Sequence, residues 1–335
     1  MITFKRCRYQ TQEPKIDTLR QACERLVSGC AALKEEDDTL VVSNPETRRL
    51  GELIFEAAQK ITSKVHHMTV PPFTMHGQEP PGDVADAMLK SDVIFAVTRY
   101  SMAHSKARWR ASEAGARYLS LPDYSESILM SRAMQANFRG LTALSQKLAE
   151  VLSNGNEIRL TASKGTNLRC MITGRIGNPA PGWCWGPGTI ASPPDAETNI
   201  AVLEEESDGE IFVDGSIPCP EIGLLKQPIR LKIKHGRVIE VSGESSKELE
   251  RRYDILADPR TRVVAELGIG LNPLARLSGL MLEDEGCLGT VHLGMGSNIT
   301  LGGKNDVPFH LDHVIREACI EVDGKRISID AAISS

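Results

Sequence analysis

Three apolar, strand-like segments between Val263 and His313 each carry one or two residues able to bind a cation. Glu266 stands in the run Val263-Val264-Ala265-Glu266-Leu267-Gly268-Ile269, and His292 in Thr290-Val291-His292-Leu293. An ionised carboxylate among such neighbours is costly unless it meets a positive partner. His310 and Asp312 follow, two residues apart. In an extended strand that spacing turns both side chains to one face, while Leu311 and His313 take the other. Two imidazoles and two carboxylates on short apolar segments are a metal-ligand inventory. The ordinary alternative for any one of them is a hydrogen-bonded core residue. The argument for metal is that four occur together, two of them at same-face spacing. The nearby Glu283-Asp284-Glu285 run, which ends at Gly286, reads instead as a solvated turn.

The elements that must position these groups come in two textures. From about residue 15 to 150, short apolar runs alternate with helical patterns. Ile16–Leu33 has helix spacing, Thr39–Val42 is a compact strand, and Leu50, Leu53, Ile54, Ala57, Ala58 and Ile61 form an amphipathic stripe. Strands around Val65–Val70, Asp92–Thr98 and Arg117–Leu121 alternate with helices at Val84–Leu89 and His104–Gly115, and Ser125–Leu152 reads as one long helix. Strand-helix alternation with continuously apolar strands predicts a doubly wound parallel α/β domain over residues 1–153. The turn after its first strand, Ser43-Asn44-Pro45-Glu46-Thr47, has neither a glycine fingerprint nor a Walker lysine, so a scaffold role is expected rather than nucleotide binding. Gly268-x-Gly270 and Gly294-x-Gly296 lack a following helix and are weak signals for a nucleotide.

From Asn156 the pattern turns to alternation and hairpins. Glu157–Ala162, Leu168–Thr173, Ile200–Leu203, Glu210–Val213 and Pro228–Val241 read as strands, the last turning at His235-Gly236, with a helix at Ser246–Leu256 and a late hairpin Cys319–Ile329 turning at Asp323-Gly324. Residues 154–335 are thus expected to form a mostly antiparallel, β-rich metal-binding domain. Between the two lies the Gly- and Pro-rich stretch Gly174–Pro194, where Trp183 and Trp185 bracket Cys184. The tryptophans are either a hydrophobic clasp or a substrate-pocket wall. His104, past the carboxyl end of Asp92–Thr98, is either a surface histidine or a proton shuttle facing the site.

Composition narrows the function. Among 335 residues, 41 % are hydrophobic and 25 % charged, an ordinary globular profile. A net charge of −5 gives no reason for a nucleic-acid or membrane-surface partner, and 4 % aromatics argue against base stacking. Eight scattered cysteines without a Cys-x-x-Cys exclude a zinc ribbon and fit reduced thiols. With no apolar leader or membrane span in the sequence, a cytoplasmic protein is expected.

The segments Glu266–Pro273, Gly289–Gly294, Gly302–Asn305 and His310–Asp312, with the Thr98–Arg108 loop and the order of the two halves, resemble the thermophilic metalloprotease family of the aminopeptidase T group. The same architecture and the His-x-Asp also resemble 2,5-dihydroxypyridine dioxygenase, a ring-cleaving iron(II) enzyme. The first resemblance implies two metal ions held by Glu, Glu, His, Tyr, His and Asp, a set that Glu266, His292, His310 and Asp312 match at four positions, with Glu197 as a fifth. Gly296-Ser297-Asn298-Ile299 stands where the tyrosine is expected. The second implies one iron on two histidines and an aspartate. His310 and Asp312 match two of these, Glu266 stands where the other histidine belongs, and His104 lines up with a base. Because a carboxylate in place of an imidazole favours a hard divalent ion, the leading expectation is a metal-dependent hydrolase of an amide or peptide-like bond. In it, Glu197, Glu266, His292, His310 and Asp312 hold one or two ions (zinc, manganese, cobalt or iron(II)). Glu197 or Glu266 takes a proton, and His104 protonates the leaving group. The competing expectations are an iron(II) ring-cleaving dioxygenase of a hydroxylated N-heterocycle, and a binding protein that kept the fold without the site. A small-molecule or short-peptide substrate and, by resemblance, a homodimer complete the expectation.

Overall fold

The computed structural model describes residues 18–327 and divides into two compact units, one made of residues 18–139 and 182–194, the other of 140–181 and 195–327. In the first unit, β1 (Thr39–Ser43), β2 (Val65–Thr69), β3 (Val93–Val97) and β4 (Arg117–Ser120) pair in parallel, with Ile190–Ala191, the eighth strand of the chain (β8), added beside β4. The order β2-β1-β3-β4-β8 is that of a doubly wound sheet. Every residue of β1 and β3 is buried, as a strand covered on both faces requires. Helices α1 (Leu19–Arg25), α2 (Arg48–Gln59), α3 (Gly82–Leu89) and α4 (Lys106–Glu113) supply the cover. The parallel α/β expectation holds.

The long helix expected over Ser125–Leu152 is three pieces: α5 (Glu126–Leu129), a 3-10 turn at Arg132–Gln135 and α6 (Phe138–Ser153). Ser131 and Ala136 are extended, with ψ of 156° and 149°. They interrupt the hydrogen-bond ladder although Ser131–Ala136 holds neither glycine nor proline, and the intervening turn buries Ala133 and Met134. The first helix passes from α1 into a π-helical turn at Leu26–Cys30. Its expected start at Ile16, and the expected end of the last hairpin at Ile329, lie outside the described residues.

The second unit holds two seven-stranded sheets. One contains β5 (Glu157–Thr161), β6 (Asn167–Met171), β10 (Ser207–Val213), β13 (Ile229–Lys234), β14 (Arg237–Gly243), β18 (Cys319–Val322) and β19 (Lys325–Arg326). The other runs β12 (Gly223–Leu224), β11 (Ser216–Ile217), β17 (His310–Arg316), β16 (Thr290–Gly296), β15 (Val264–Gly270), β9 (Glu197–Ala201) and β7 (Asn178–Ala180). Their facing side chains, among them Leu160, Leu168, Ile211 and Leu231 from the first and Ile200, Leu267, Leu293 and Leu311 from the second, form one core with Leu144, Leu148 and Leu152 of α6. Full burial stabilises each by about 1.5–3 kcal/mol. Helices α7 (Ser246–Tyr253) and α8 (Met281–Asp284) complete the unit.

The Gly174–Pro194 stretch gives a strand to each unit, β7 to the second and β8 to the first. One expectation needs correction. The Glu283–Glu285 run is not a solvated turn. Asp284 is fully buried and accepts hydrogen bonds from Ser216 Oγ and from the Ser278 and Gly279 amides (2.6 and 2.9 Å to the latter two). Charge density on the sequence concealed a carboxylate that gathers its own loop.

Candidate metal centre

The β15, β16 and β17 strands send one set of side chains into the core and the alternate set to the opposite face. On β15 the core set is Leu267 and Ile269, on β16 Val291, Leu293 and Met295, and on β17 Leu311 and Ile315. Alternation places Glu266, His292, His310 and Asp312 on the other face. Glu197, the first residue of β9, joins them, its carbonyl held by Ser145 Oγ of α6 (3.0 Å). The strand register gives each of the five a glycine opposite: Glu197 faces Gly270, Glu266 and Asp312 face Gly294, His292 faces Gly268, and His310 faces Gly296. A Cβ at Gly268 would lie 2.1 Å from His292 Nε2 and 2.8 Å from Glu197 Oε2, and one at Gly294 would lie 2.6 Å from His310 Cε1. The glycines are the floor on which the five side chains converge.

Converge they do. His292 Nε2 is 3.1 Å from Glu197 Oε2 and 4.0 Å from Glu266 Oε1. His310 Nε2 is 3.1 Å from Glu266 Oε2 and 3.2 Å from Asp312 Oδ1. Ligand atoms of Glu197, Glu266 and His292 lie within 4.8 Å of one another, as do those of Glu266, His310 and Asp312, so Glu266 is shared. His310 Nδ1 meets the Ser297 carbonyl at 2.9 Å, so this nitrogen carries the proton and Nε2 points at the carboxylates. Asn199 Nδ2 donates to Glu197 Oε1 at 2.6 Å and orients it.

Two further acids sit against this cluster. Asp195 is buried with Oδ1 unpartnered, and Glu285 lies against Asp312 with Oε1 unpartnered. Burial, reinforced by Glu197 for Asp195 and by Asp312 for Glu285, pushes both carboxyls well above their usual range. Burial likewise raises Glu266, partly offset by His310. For Asp312 burial would act upward, but His310 outweighs it and holds the carboxyl well below the usual range. Burial would lower both imidazoles, yet Glu197 drives His292 up to about 10, and Asp312 with Glu266 drives His310 well above its ordinary value. The carboxylates thus favour positive charge at both imidazoles, and a divalent cation between them would supply it in place of protons. The donor set of carboxylate oxygens and imidazole nitrogens suits such an ion.

Residues 18–335 match the family described as NicX: 2,5-dihydroxypyridine 5,6-dioxygenase. The chain belongs to that family. A Pseudomonas putida (strain KT2440) protein named 2,5-dihydroxypyridine 5,6-dioxygenase is 22 % identical over 295 residues, covering 81 % of this chain and 83 % of that protein. The structure of 2,5-dihydroxypyridine dioxygenase from Pseudomonas putida KT2440 superposes with a TM-score of 0.81 at 19 % identity, covering 94 % of this chain and 96 % of that one. AmpT from Thermus thermophilus gives 0.64 at 16 % identity, covering 92 % and 96 %, a likeness of fold.

The family overturns the expected hydrolase, and with it the metalloprotease and aminopeptidase reading. Hydrolysis is expected from the sequence because Glu266 stands in place of an imidazole. In the structure His292 lies beside Glu266, so two imidazoles remain in the cluster. The sequence did not reveal Asp195, Asn199 or the role of Glu285. Of the other expected site residues, His104 is exposed just before Ser105, the N-cap of α4 in the first unit. Trp183 stacks on the Arg139 guanidinium at 4.8 Å, and Trp185 is exposed. No helix among the described residues is long and apolar enough to cross a membrane.

Proposed function

We propose that the protein is a metal-dependent dioxygenase that opens the ring of a hydroxylated N-heterocycle, with iron(II) as its working ion. The observation that carries this is the meeting of Glu266, His310 and Asp312 on one sheet face, in a chain of this family. Glu266, His310 and Asp312 would hold the ion, with His292 and Glu197 completing the cluster or holding a second. Bound there, iron(II) would supply the redox-active centre through which dioxygen and an electron-rich ring react. The reaction proposed adds both atoms of O2 to the substrate and breaks one ring carbon–carbon bond, so no external reductant is consumed. The chain's own part is to keep Nε2 of His310 aimed at the ion, to hold Asp312 ionised, and to wall the ion with buried carboxylates. His104 is proposed as the base that takes the substrate's hydroxyl proton. The substrate is a small molecule, and the active species a cytoplasmic homodimer without nucleic-acid or membrane partners.

The test is dioxygen uptake by protein reconstituted anaerobically with iron(II), using 2,5-dihydroxypyridine as probe. One O2 consumed per ring opened is expected, with zinc, manganese and cobalt inactive. Iron loading without uptake on any dihydroxypyridine would remove the assignment. Light scattering decides the dimer.

A further inference from the structure

The Gly302-Gly303-Lys304-Asn305 segment holds none of the ligands, yet it closes a buried network that bonds the residue before Glu266 and flanks Ser297, whose carbonyl meets His310. Asn298 is fully buried. Its Oδ1 accepts from the Asn305 amide at 2.9 Å, and its Nδ2 donates to Glu204 Oε1 at 3.0 Å and to the Ala265 carbonyl at 3.2 Å. Glu204 in turn accepts from Arg175 Nη2 through both oxygens (2.8 and 2.7 Å) and from the Lys304 amide at 2.6 Å. Asn305 Nδ2 donates to the Gly296 and Arg260 carbonyls. Gly303 packs so closely that a Cβ there would lie 2.0 Å from the Asn298 side chain.

The consequence is local. Ser297, whose carbonyl takes the His310 Nδ1 proton, lies between Gly296, held by Asn305, and Asn298 itself. Ala265, held by Asn298, immediately precedes Glu266. Resting on the metal reading above, we infer that Asn298 is a positioning residue for His310 and Glu266. It fixes the Ser297 carbonyl where the Nδ1 proton must donate to it, which leaves Nε2 for the cation. A partner that sets which ring nitrogen is free is worth about 10–100-fold in metal affinity. A loop that merely stabilises the fold would move neither the ring proton nor the affinity selectively.

The experiment follows the Nδ1 proton of His310 by 1H–15N NMR in the metal-free protein, with the His313 ring proton, on the opposite face, as internal control. In Asn298→Ala, solvent exchange of the His310 proton is expected to rise at least about 10-fold with the His313 proton unchanged, and zinc, the diamagnetic probe, to bind about 10–100-fold more weakly. If that variant does not fold, Asn305→Ala removes the side-chain anchors on the Gly296 and Arg260 carbonyls while keeping the Asn305 amide bond to Asn298, and is expected to shift both readouts the same way by less. Unchanged protection of His310 in a folded variant overturns the inference, as does equal loss at both histidines. If the wild-type protein binds no divalent ion while His310 protection still depends on Asn298, the positioning stands and the proposed function falls.

Discussion

His310 and His313 lie three residues apart on β17 and face opposite ways, and their surroundings separate two kinds of histidine. Both set one ring nitrogen against a backbone carbonyl, Ser297 for His310 and Leu293 for His313. They differ at Nε2. That of His313 meets the neutral Tyr253 hydroxyl at 2.8 Å, and burial pushes this imidazole down to about 4. That of His310 meets two carboxylates, and its affinity for protons rises. Burial alone therefore does not mark a ligand; what faces the second nitrogen does.

The contrast can be broken at several points. The largest effect is expected from His310→Ala or Asp312→Ala, which should reduce metal content well below one equivalent and dioxygen uptake to background, with circular dichroism unchanged. His313→Leu should leave metal content intact, and equal metal loss in the two histidine variants would dissolve the distinction. A third histidine sharpens it from the side of the chemistry. His104→Ala should lower turnover about 10²–10⁴-fold, the range for a lost acid–base group, while elemental analysis shows full metal.

Gly294→Ala brings a methyl to 2.6 Å from His310 Cε1 and 3.0 Å from Glu266 Cβ. Overpacking of this kind costs about 1–3 kcal/mol, so calorimetry should show a lowered Tm and titration a weakened metal site. The last effect is a slope. His313 is neutral in the folded chain down to about pH 4 but takes a proton near 6.5 when unfolded. Its contribution is therefore complete above about pH 6.5 and is lost as pH falls toward 4, by about 3 kcal/mol at 1.36 kcal/mol per pH unit. His313→Leu should flatten denaturant-derived stability across that window, and an unchanged slope would count against a neutral His313.

Much of this site could be read from residue types. His310 and Asp312 share a face because strand alternation leaves no other choice, and Glu266 and His292 stood out as polar groups in apolar runs. The glycines are also visible, in Glu-Leu-Gly-Ile-Gly and His-Leu-Gly-Met-Gly, but from sequence they suggest only weak nucleotide loops. Their meaning depends on cross-strand register, which pairs Gly268 with His292 and Gly294 with Asp312. No single segment contains that information. Glu285 was hidden differently: among three acids it resembled a solvated turn, while its neighbour Asp284 is sequestered by hydrogen bonds and its own carboxyl reaches Asp312. The parallel sheet was legible from β1 and β3, whose centres Leu40–Val42 and Val93–Val97 are continuously apolar. The break at Ser131 was not, because neither proline nor glycine marks it, and the turn that follows buries Met134.

The return of residues 182–194 to the parallel sheet bears on how this chain can be dissected. A fragment stopped before Gly182 would leave the Tyr118 and Leu119 edge of β4 without the strand that pairs with it, and it would lack the Pro193 carbonyl that receives the Tyr124 hydroxyl at 2.9 Å. Open sheet edges of that kind recruit other chains. Truncation libraries and split-protein designs should therefore keep this excursion in one piece with the N-terminal strands.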